Sequence, residues 1–327
     1  MRSSARQNWT VFMSPASFVS RYYTSPDGLK LHYRDYAGPP APRLTVVCIP
    51  GLTRNARDFE DLAPHLAETY RVISVELRGR GLSEYAKDPM TYVPPTYVRD
   101  VAALLKAEQL AHVALIGTSL GGIISMVLAA TMPAKILGVV LNDIGPEISP
   151  EGLARIASYV GQTKPITNWD EAAAAIRMID GKIFPDYEAD EIWIKMARRR
   201  FVESEDGSFR PDYDLNISKP FASSTTAVNL WPFFMALKRI PALAIRGETS
   251  DLLSPEIFAQ MKKAVPNLRQ VTVPNRGHAP YLDEPEALSA IEAFLKKLPT
   301  SLNAMTIVRR QLAGAWLLAR LKIQGVV

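Results

Sequence analysis

Two patterns of apolar and polar residues follow each other along the chain. Residues 29–36 alternate apolar and polar side chains, as in a strand with one buried face, and residues 21–24 form a shorter strand before them. Later runs are apolar throughout and are separated by stretches of helical period, which is typical of a parallel sheet covered on both faces. The predicted strands are 44–49, 72–75, 113–116, 136–141, 242–245 and 271–273, and the predicted helices are near 58–68, 97–109, 120–131, 255–264 and 285–297.

One long segment lacks this rhythm. Residues 145–235 contain helical patterns and many aromatic residues, and no convincing strand. We interpret them as a helical lid inserted into an α/β core formed by residues 20–144 and 236–299. Residues 1–19 are then an N-terminal arm.

The last segment, residues 300–327, predicts an amphipathic helical tail. Its apolar residues recur at helical spacing with arginines among them. We expect this helix to pack on the domain or on a second subunit, as in a homodimer. The alternative is a basic amphipathic helix that lies on a membrane surface.

Composition narrows the function classes. The 327 residues are 47 % hydrophobic and 22 % charged, with a formal net charge of +5, so a packed core is expected. No basic stripe is interleaved with aromatics, which argues against nucleic-acid binding. The single cysteine, Cys48, lies in an apolar run and is interpreted as a core residue. No signal peptide and no apolar run of transmembrane length is found, so a cytoplasmic enzyme is expected.

A glycine-rich turn carries the first chemical signal. The predicted strand 113–116 runs into Gly117-Thr118-Ser119-Leu120-Gly121-Gly122, and a helix follows. This G-x-S-x-G pattern, between a strand and a helix, presents a serine nucleophile on a sharp turn. The amides that begin the helix point toward developing negative charge, and the N–H of Leu120 is the expected first oxyanion donor.

A serine nucleophile needs a base, and the chain has four histidines. His278 follows the last predicted strand and precedes the last core helix, where a loop can reach the serine. The other histidines are interpreted as surface or packing residues, with His32 facing outward on an early strand; they are His32, His65 and His112.

The base in turn needs a carboxylate partner. Asp251 lies in the loop after strand 242–245 and is the favoured residue; Asp143, after strand 136–141, and Glu248 are the rivals. A second oxyanion donor is expected in the turn after strand 44–49, where Gly51 allows a tight turn and the N–H of Leu52 is the candidate.

Together these pieces resemble the α/β-hydrolase superfamily over roughly residues 20–299. The resemblance rests on the turn at Gly51, the run Arg78-Gly79-Arg80-Gly81-Leu82-Ser83, the serine turn, the acid loop at 247–251 and Gly277-His278. Two positions depart from the pattern: Pro50 stands where the family often has histidine, and Glu76 stands where aspartate is common. A serine at position 119 argues against the haloalkane dehalogenase and epoxide hydrolase branches, which have aspartate there.

The resemblance implies acyl transfer by Ser119, His278 and Asp251 with no metal and no organic cofactor. The apolar lid segment that contains Trp231 and Phe234 suggests a small or medium hydrophobic ester, thioester or lactone. Two alternatives use the same triad: a meta-cleavage-product hydrolase that breaks a carbon–carbon bond, and a cofactor-free perhydrolase. The first needs cationic groups for its substrate, for which Arg57 and Arg198 to Arg200 are candidates. A non-catalytic receptor or scaffold is the third alternative.

Overall fold

The computed structural model describes residues 17–223 and 229–323, and most of the predicted N-terminal arm lies outside this range. Eight strands form one sheet in the order β1-β2-β4-β3-β5-β6-β9-β10, and β7 and β8 form a separate hairpin. The strands are β1 Val19–Thr24, β2 Lys30–Tyr36, β3 Thr45–Ile49, β4 Arg71–Val75, β5 Val113–Thr118, β6 Ile136–Asn142, β7 Phe201–Glu203, β8 Phe209–Pro211, β9 Ala242–Gly247 and β10 Arg269–Val273.

Eleven helices are found in the described residues, and four single 3-10 turns lie at 56–59, 89–91, 215–217 and 235–239. The helices are α1 Leu62–Leu66, α2 Pro94–Ala107, α3 Leu120–Thr131, α4 Pro150–Ala157, α5 Trp169–Asp180, α6 Asp190–Arg200, α7 Ser218–Ser223, α8 Trp231–Phe234, α9 Pro255–Ala264, α10 Pro285–Leu295 and α11 Ala304–Ile323. No described helix is long and apolar enough to cross a membrane.

The sheet is parallel from β4 to β10, and β1 and β2 join it antiparallel. Successive residues of β3 face opposite sides: Val47 and Ile49 belong to one buried cluster, and Val46 and Cys48 belong to the other. Both faces are therefore covered, as the apolar strands predicted, and the α/β fold with a mostly parallel sheet is confirmed.

The inserted residues 145–235 contain helices α4 to α8 and the β7–β8 hairpin. The expectation of no strand there is wrong: β7 pairs antiparallel with β8 across a turn at Gly207, whose φ is +79°. Strands of three residues are too short to produce a readable period. Trp193, Phe184 and Phe209 are buried in a cluster within this segment, so its aromatic residues largely form its own core.

Helix α11 packs one face on the core. Arg310 is buried and donates hydrogen bonds to the carbonyls of Pro133 and Ile136, and a Cβ at Gly314 would come within 2.9 Å of the Pro133 ring. The opposite face exposes apolar side chains, including Trp316. Contact of this face with a membrane or a second subunit stays a prediction.

Candidate active site

Ser119 occupies a strained turn between β5 and α3. Its φ is +52° and its ψ is −115°, a region that non-glycine residues rarely adopt. A Cβ at Gly117 would come within 2.3 Å of the carbonyl oxygen of Gly121, and one at Gly121 within 2.0 Å of that of Ile49. Both glycines are therefore required by close backbone approach, which holds the serine at the carboxyl end of the central strand.

The structure brings His278 against Ser119. His278 Nε2 lies 2.9 Å from Ser119 Oγ, and His278 Nδ1 lies 2.7 Å from Asp143 Oδ2. These two contacts form one chain of hydrogen bonds from hydroxyl to imidazole to carboxylate. Asp143 directly follows β6, the neighbour of β5 in the sheet, and His278 follows β10. The carboxyl ends of parallel strands share one edge, so three distant stretches of chain meet there.

Asp143 is fully buried, and both oxygens of its carboxylate accept hydrogen bonds. Oδ1 accepts a hydrogen bond from Gly247 N at 2.7 Å, and Oδ2 accepts one from Ser250 Oγ at 2.5 Å in addition to the imidazole. The loop 247–251 therefore contributes to the site, but it does so through Gly247 and Ser250. These bonds fix the carboxylate, which in turn orients the ring of His278.

The structure corrects the choice of Asp251 as partner of the imidazole. Asp251 makes a two-pronged ion pair with Arg155 of α4, in which Arg155 Nη2 lies 2.9 Å from Asp251 Oδ1 and Nε contacts Oδ2. The Asp251 side chain is 36 % exposed, whereas Asp143 is fully buried. Glu248, the other rival, accepts a hydrogen bond from Asn275 N instead of one from the imidazole.

The candidate oxyanion donors are the backbone amides of Leu120, which follows Ser119 in the chain, and of Leu52. Leu120 is the first residue of α3, so its N–H has no partner within the helix. Leu52 lines the same cavity as Ser119, and its carbonyl oxygen accepts two hydrogen bonds from Arg80, at 2.9 Å from Nε and 2.8 Å from Nη2. Arg80 is fully buried. It thus holds the turn at Leu52, a role that the sequence analysis did not anticipate.

Ser119 and His278 open into a cavity of about 670 Å³. Its walls come from the 51–54 turn, from α4, α5 and the β7–β8 hairpin, and from residues 278–281. Trp231 and Phe234 are absent from its lining, so their expected contact with substrate is not supported. Phe234 is fully buried in the main core, and Trp231 lines a separate cavity of about 420 Å³ beside α11. The end of the inserted segment turns back onto α3, which sequence periodicity does not reveal.

Comparison with known proteins identifies the family. The model of the alpha/beta hydrolase family matches residues 46–291. This chain belongs to the alpha/beta hydrolase family. An alpha/beta hydrolase from Novosphingobium aromaticivorans has a crystal structure that superposes with a TM-score of 0.81 at 49 % sequence identity, covering 86 % of this chain and 99 % of that one.

The names of two relatives state the compound that each hydrolyses. A 3-hydroxybutyrate-oligomer hydrolase of Cupriavidus necator is 34 % identical over 280 residues, which cover 83 % of this chain and 94 % of the relative. A 2-(acetamidomethylene)succinate hydrolase of Mesorhizobium japonicum is 31 % identical over 250 residues, covering 75 % of this chain and 85 % of the relative. The chain is therefore a hydrolase of the alpha/beta hydrolase family.

The run at 78–83, part of the resemblance to this family, has a structural explanation. Arg78 is buried and binds Asp100 of α2 and Asp27 of the β1–β2 turn, each through two nitrogens at 2.7 Å. Glu76, the residue that departs from the family pattern, accepts a hydrogen bond from Leu82 N at 2.6 Å. It also lies 2.9 Å from the ring of His32. These contacts anchor the loop that carries Arg80.

The expected outward position of His32 is wrong. The residue is 1 % exposed, and its ring contacts Ser20 Oγ at 2.7 Å in addition to Glu76. The Glu76 carboxylate and the ring of Tyr22, which packs edge-on at a centroid distance of 5.1 Å, cover the imidazole, so the alternation of β2 does not mark an exposed side. His32 lines neither of the two cavities described above.

Of the four arginines proposed to meet an anionic substrate, Arg200 lines the cavity. Arg57 pairs with Asp212, Arg198 stacks over Trp169, and Arg199 pairs with Glu60 and Asp61. The sequence patterns did not indicate two further polar residues of the cavity wall, Arg54 and Tyr281. They follow the Gly51 turn and His278 by three residues each, and this proximity to predicted site residues was the available signal.

Proposed function

We propose that this hydrolase cleaves carboxylic esters through an acyl-enzyme formed on Ser119. The observation that carries the proposal is the continuous chain of hydrogen bonds from Ser119 Oγ through His278 to the buried Asp143, at the wall of a cavity. Such a chain activates a serine that is otherwise a weak nucleophile at neutral pH.

In the proposed reaction, Ser119 Oγ attacks the ester carbonyl carbon while His278 Nε2 accepts its proton. The carbonyl oxygen becomes an oxyanion and accepts hydrogen bonds from the N–H groups of Leu52 and Leu120. His278 then gives its proton to the leaving alcohol oxygen as the carbon–oxygen bond breaks. Water attacks the acyl-enzyme, His278 accepts a proton from that water, and Ser119 is released with its proton restored. Asp143 holds the imidazole in the tautomer that this cycle needs and stabilises the imidazolium.

The lining of the cavity supports an ester with an apolar body. The walls that the inserted segment 145–235 contributes carry apolar side chains, among them Ile156, Ile176, Ile179 and Met178. The volume suits a small or medium ligand. The name of the Cupriavidus relative points to the same bond type, because oligomers of a hydroxy acid are joined by esters.

The experiment follows hydrolysis of p-nitrophenyl butyrate by the wild type, by Ser119→Ala and by the surface control Ser208→Ala. We expect Ser119→Ala to lose turnover by about 10⁶-fold and Ser208→Ala to keep it. A fluorophosphonate adduct mapped by mass spectrometry should fall on Ser119. Retained turnover in folded Ser119→Ala, or an adduct only elsewhere, would refute the proposal.

One observation favours a second candidate, a carbon–carbon bond hydrolase of the meta-cleavage-product type. That reaction needs cationic groups for the substrate carboxylate, and Arg54 and Arg200 line the cavity. Decay of the yellow absorbance of a meta-cleavage product, together with absence of p-nitrophenyl ester hydrolysis, would favour this candidate over the ester hydrolase.

A further inference from the structure

A cluster of charged and polar side chains occupies one part of the cavity wall. Arg54, Arg200 and Tyr281 all line the cavity, and Asp58 and Asp180 line it beside them. The side chains of Arg54 and Arg200 are only 15 % and 10 % exposed. Two guanidinium groups this buried in one cavity wall require a reason beyond surface charge.

The hydroxyl of Tyr281 joins the two arginines. It accepts a hydrogen bond from Arg54 Nη1 at 2.9 Å and another from Arg200 Nη2 at 2.7 Å. A hydroxyl oxygen accepts two hydrogen bonds and donates one. Its accepting capacity is therefore used, and within the described ranges no residue accepts its proton. One donor of the cluster is left for a ligand.

The arginines also keep unused donors. Arg54 Nη1 binds Asp58 at 2.7 Å, but Arg54 Nη2 lies 3.7 Å from Asp180 Oδ2, beyond hydrogen-bonding distance. Arg200 Nη2 binds Asp180, and Arg200 Nη1 has no hydrogen bond within the described parts of the chain. Neither free nitrogen is among the fully buried unpartnered atoms, so both have accessible surface. Tyr281 and these two nitrogens present donors from one cluster, and Asp58 Oδ2 and Asp180 Oδ1 beside them accept no hydrogen bond from the described residues.

Both arginines remain charged. Burial acts to lower the pKa of Arg54, but Asp58, Tyr281 and Asp180 outweigh it and raise that pKa. Burial and the adjacent charge of Arg54 act to lower the pKa of Arg200, and Asp180 and Tyr281 again outweigh them. Asp58 and Asp180 balance the charge of the two arginines, so the cluster holds a further anion through directed, charge-assisted hydrogen bonds and not through an excess of positive charge.

We propose that Arg54, Arg200 and Tyr281 bind a carboxylate of the substrate, so that the preferred substrates are esters that carry a free carboxylate in their acyl or alcohol part. This inference rests on the proposed ester hydrolysis. A carboxylate has two oxygens with about four lone-pair sites and can accept hydrogen bonds from the Tyr281 hydroxyl, Arg54 Nη2 and Arg200 Nη1 together, whereas a neutral carbonyl cannot. The aliphatic part of the same cavity receives the remaining chain.

The test compares esters that differ only by a carboxylate. For the acyl side, mono-p-nitrophenyl glutarate is compared with p-nitrophenyl pentanoate. For the alcohol side, 4-acetoxybenzoate is compared with phenyl acetate. In at least one pair we expect kcat/KM of the wild type to be about 10- to 100-fold higher for the charged ester, after correction for the uncatalysed rates, as charge-assisted hydrogen bonds allow.

Three variants connect this preference to the cluster. Arg200→Gln removes one cation, and the double variant R200Q/D180N removes it without leaving Asp180 unpaired, which protects the fold. Arg198→Gln is the matched control, because Arg198 is exposed on the same helix and lies outside the cavity. We expect the first two variants to lose the preference for the charged ester, mainly through a rise in the KM of that ester. Arg198→Gln should keep the preference.

The outcomes separate the two proposals. If no ester of either pair is hydrolysed in a Ser119-dependent way, the proposed function fails. If the neutral esters are hydrolysed by Ser119 but neither charged ester is preferred, the function stands and the carboxylate site is refuted. It is equally refuted if R200Q/D180N, folded by circular dichroism, keeps the full preference.

Discussion

Replacing either of two aspartates by asparagine tests which carboxylate serves His278. In Asp143→Asn, the amide oxygen keeps the hydrogen bond from Gly247 N, because that backbone donor cannot turn away. The amide nitrogen then faces His278 Nδ1. An amide N–H can only donate, so Nδ1 must lose its proton and the proton moves to Nε2. In this tautomer Nε2 donates to Ser119 Oγ and cannot accept its proton.

The expected loss follows from this tautomer change. With the geometry kept and the tautomer wrong, turnover of a serine triad falls by about 10⁴-fold, or about 5 kcal/mol of transition-state stabilisation. Asp251→Asn removes only a partly exposed ion pair with Arg155, in which the side chains are 36 % and 29 % exposed. Such a pair contributes about 0–1 kcal/mol to stability, so turnover should change by about twofold or less.

The assay measures kcat and KM for p-nitrophenyl butyrate and the thermal unfolding midpoint of each variant. Both variants must be folded at the assay temperature, since Asp143 also binds Ser250 and its replacement carries a stability cost of its own. Folded Asp143→Asn with turnover near that of the wild type would show that Asp143 does not serve His278. A loss of orders of magnitude in Asp251→Asn would restore the interpretation made from the sequence.

Two further predictions concern buried arginines. Arg80→Gln removes both hydrogen bonds to the Leu52 carbonyl. It should lower kcat by about 10- to 100-fold with a small effect on KM, because an oxyanion donor acts in the transition state and its displacement weakens that contact. Steady-state kinetics measure both constants, and an unchanged kcat would show that the turn holds without Arg80. Arg310→Met removes the hydrogen bonds that join α11 to the core, and it should lower the free energy of unfolding by about 1.5–3 kcal/mol. The control Arg309→Met replaces an exposed neighbour and should change the free energy of unfolding little. Urea denaturation of both variants measures the difference, and equal effects would contradict the anchoring role of Arg310.

Local pattern predicted much of the framework. Runs that are apolar throughout marked the parallel strands, and the strand, turn and helix around Ser119 explained the glycines beside it. The same local signals failed for β7 and β8, which are three residues long, and for His32, whose ring is covered by the side chains of Glu76 and Tyr22. They also assigned Trp231 and Phe234 to a substrate roof because both are apolar. Whether an apolar side chain lines a cavity or fills a core depends on what packs against it.

Local sequence signals were sufficient for the order of the strands of the main sheet and of the core helices between them, the serine on its turn and the histidine after the last strand, because each leaves a signal within a few neighbouring residues. Which carboxylate meets the imidazole depends on contacts between distant parts of the chain. Asp143 and Asp251 both follow strands at the same edge of the sheet. Asp143 turns inward at a φ of +53° and is held by Gly247 and Ser250, while Asp251 is drawn outward by Arg155, 96 residues away in the chain. A contact between residues so distant in sequence has no local pattern, and so the choice between two nearby acids is made by packing.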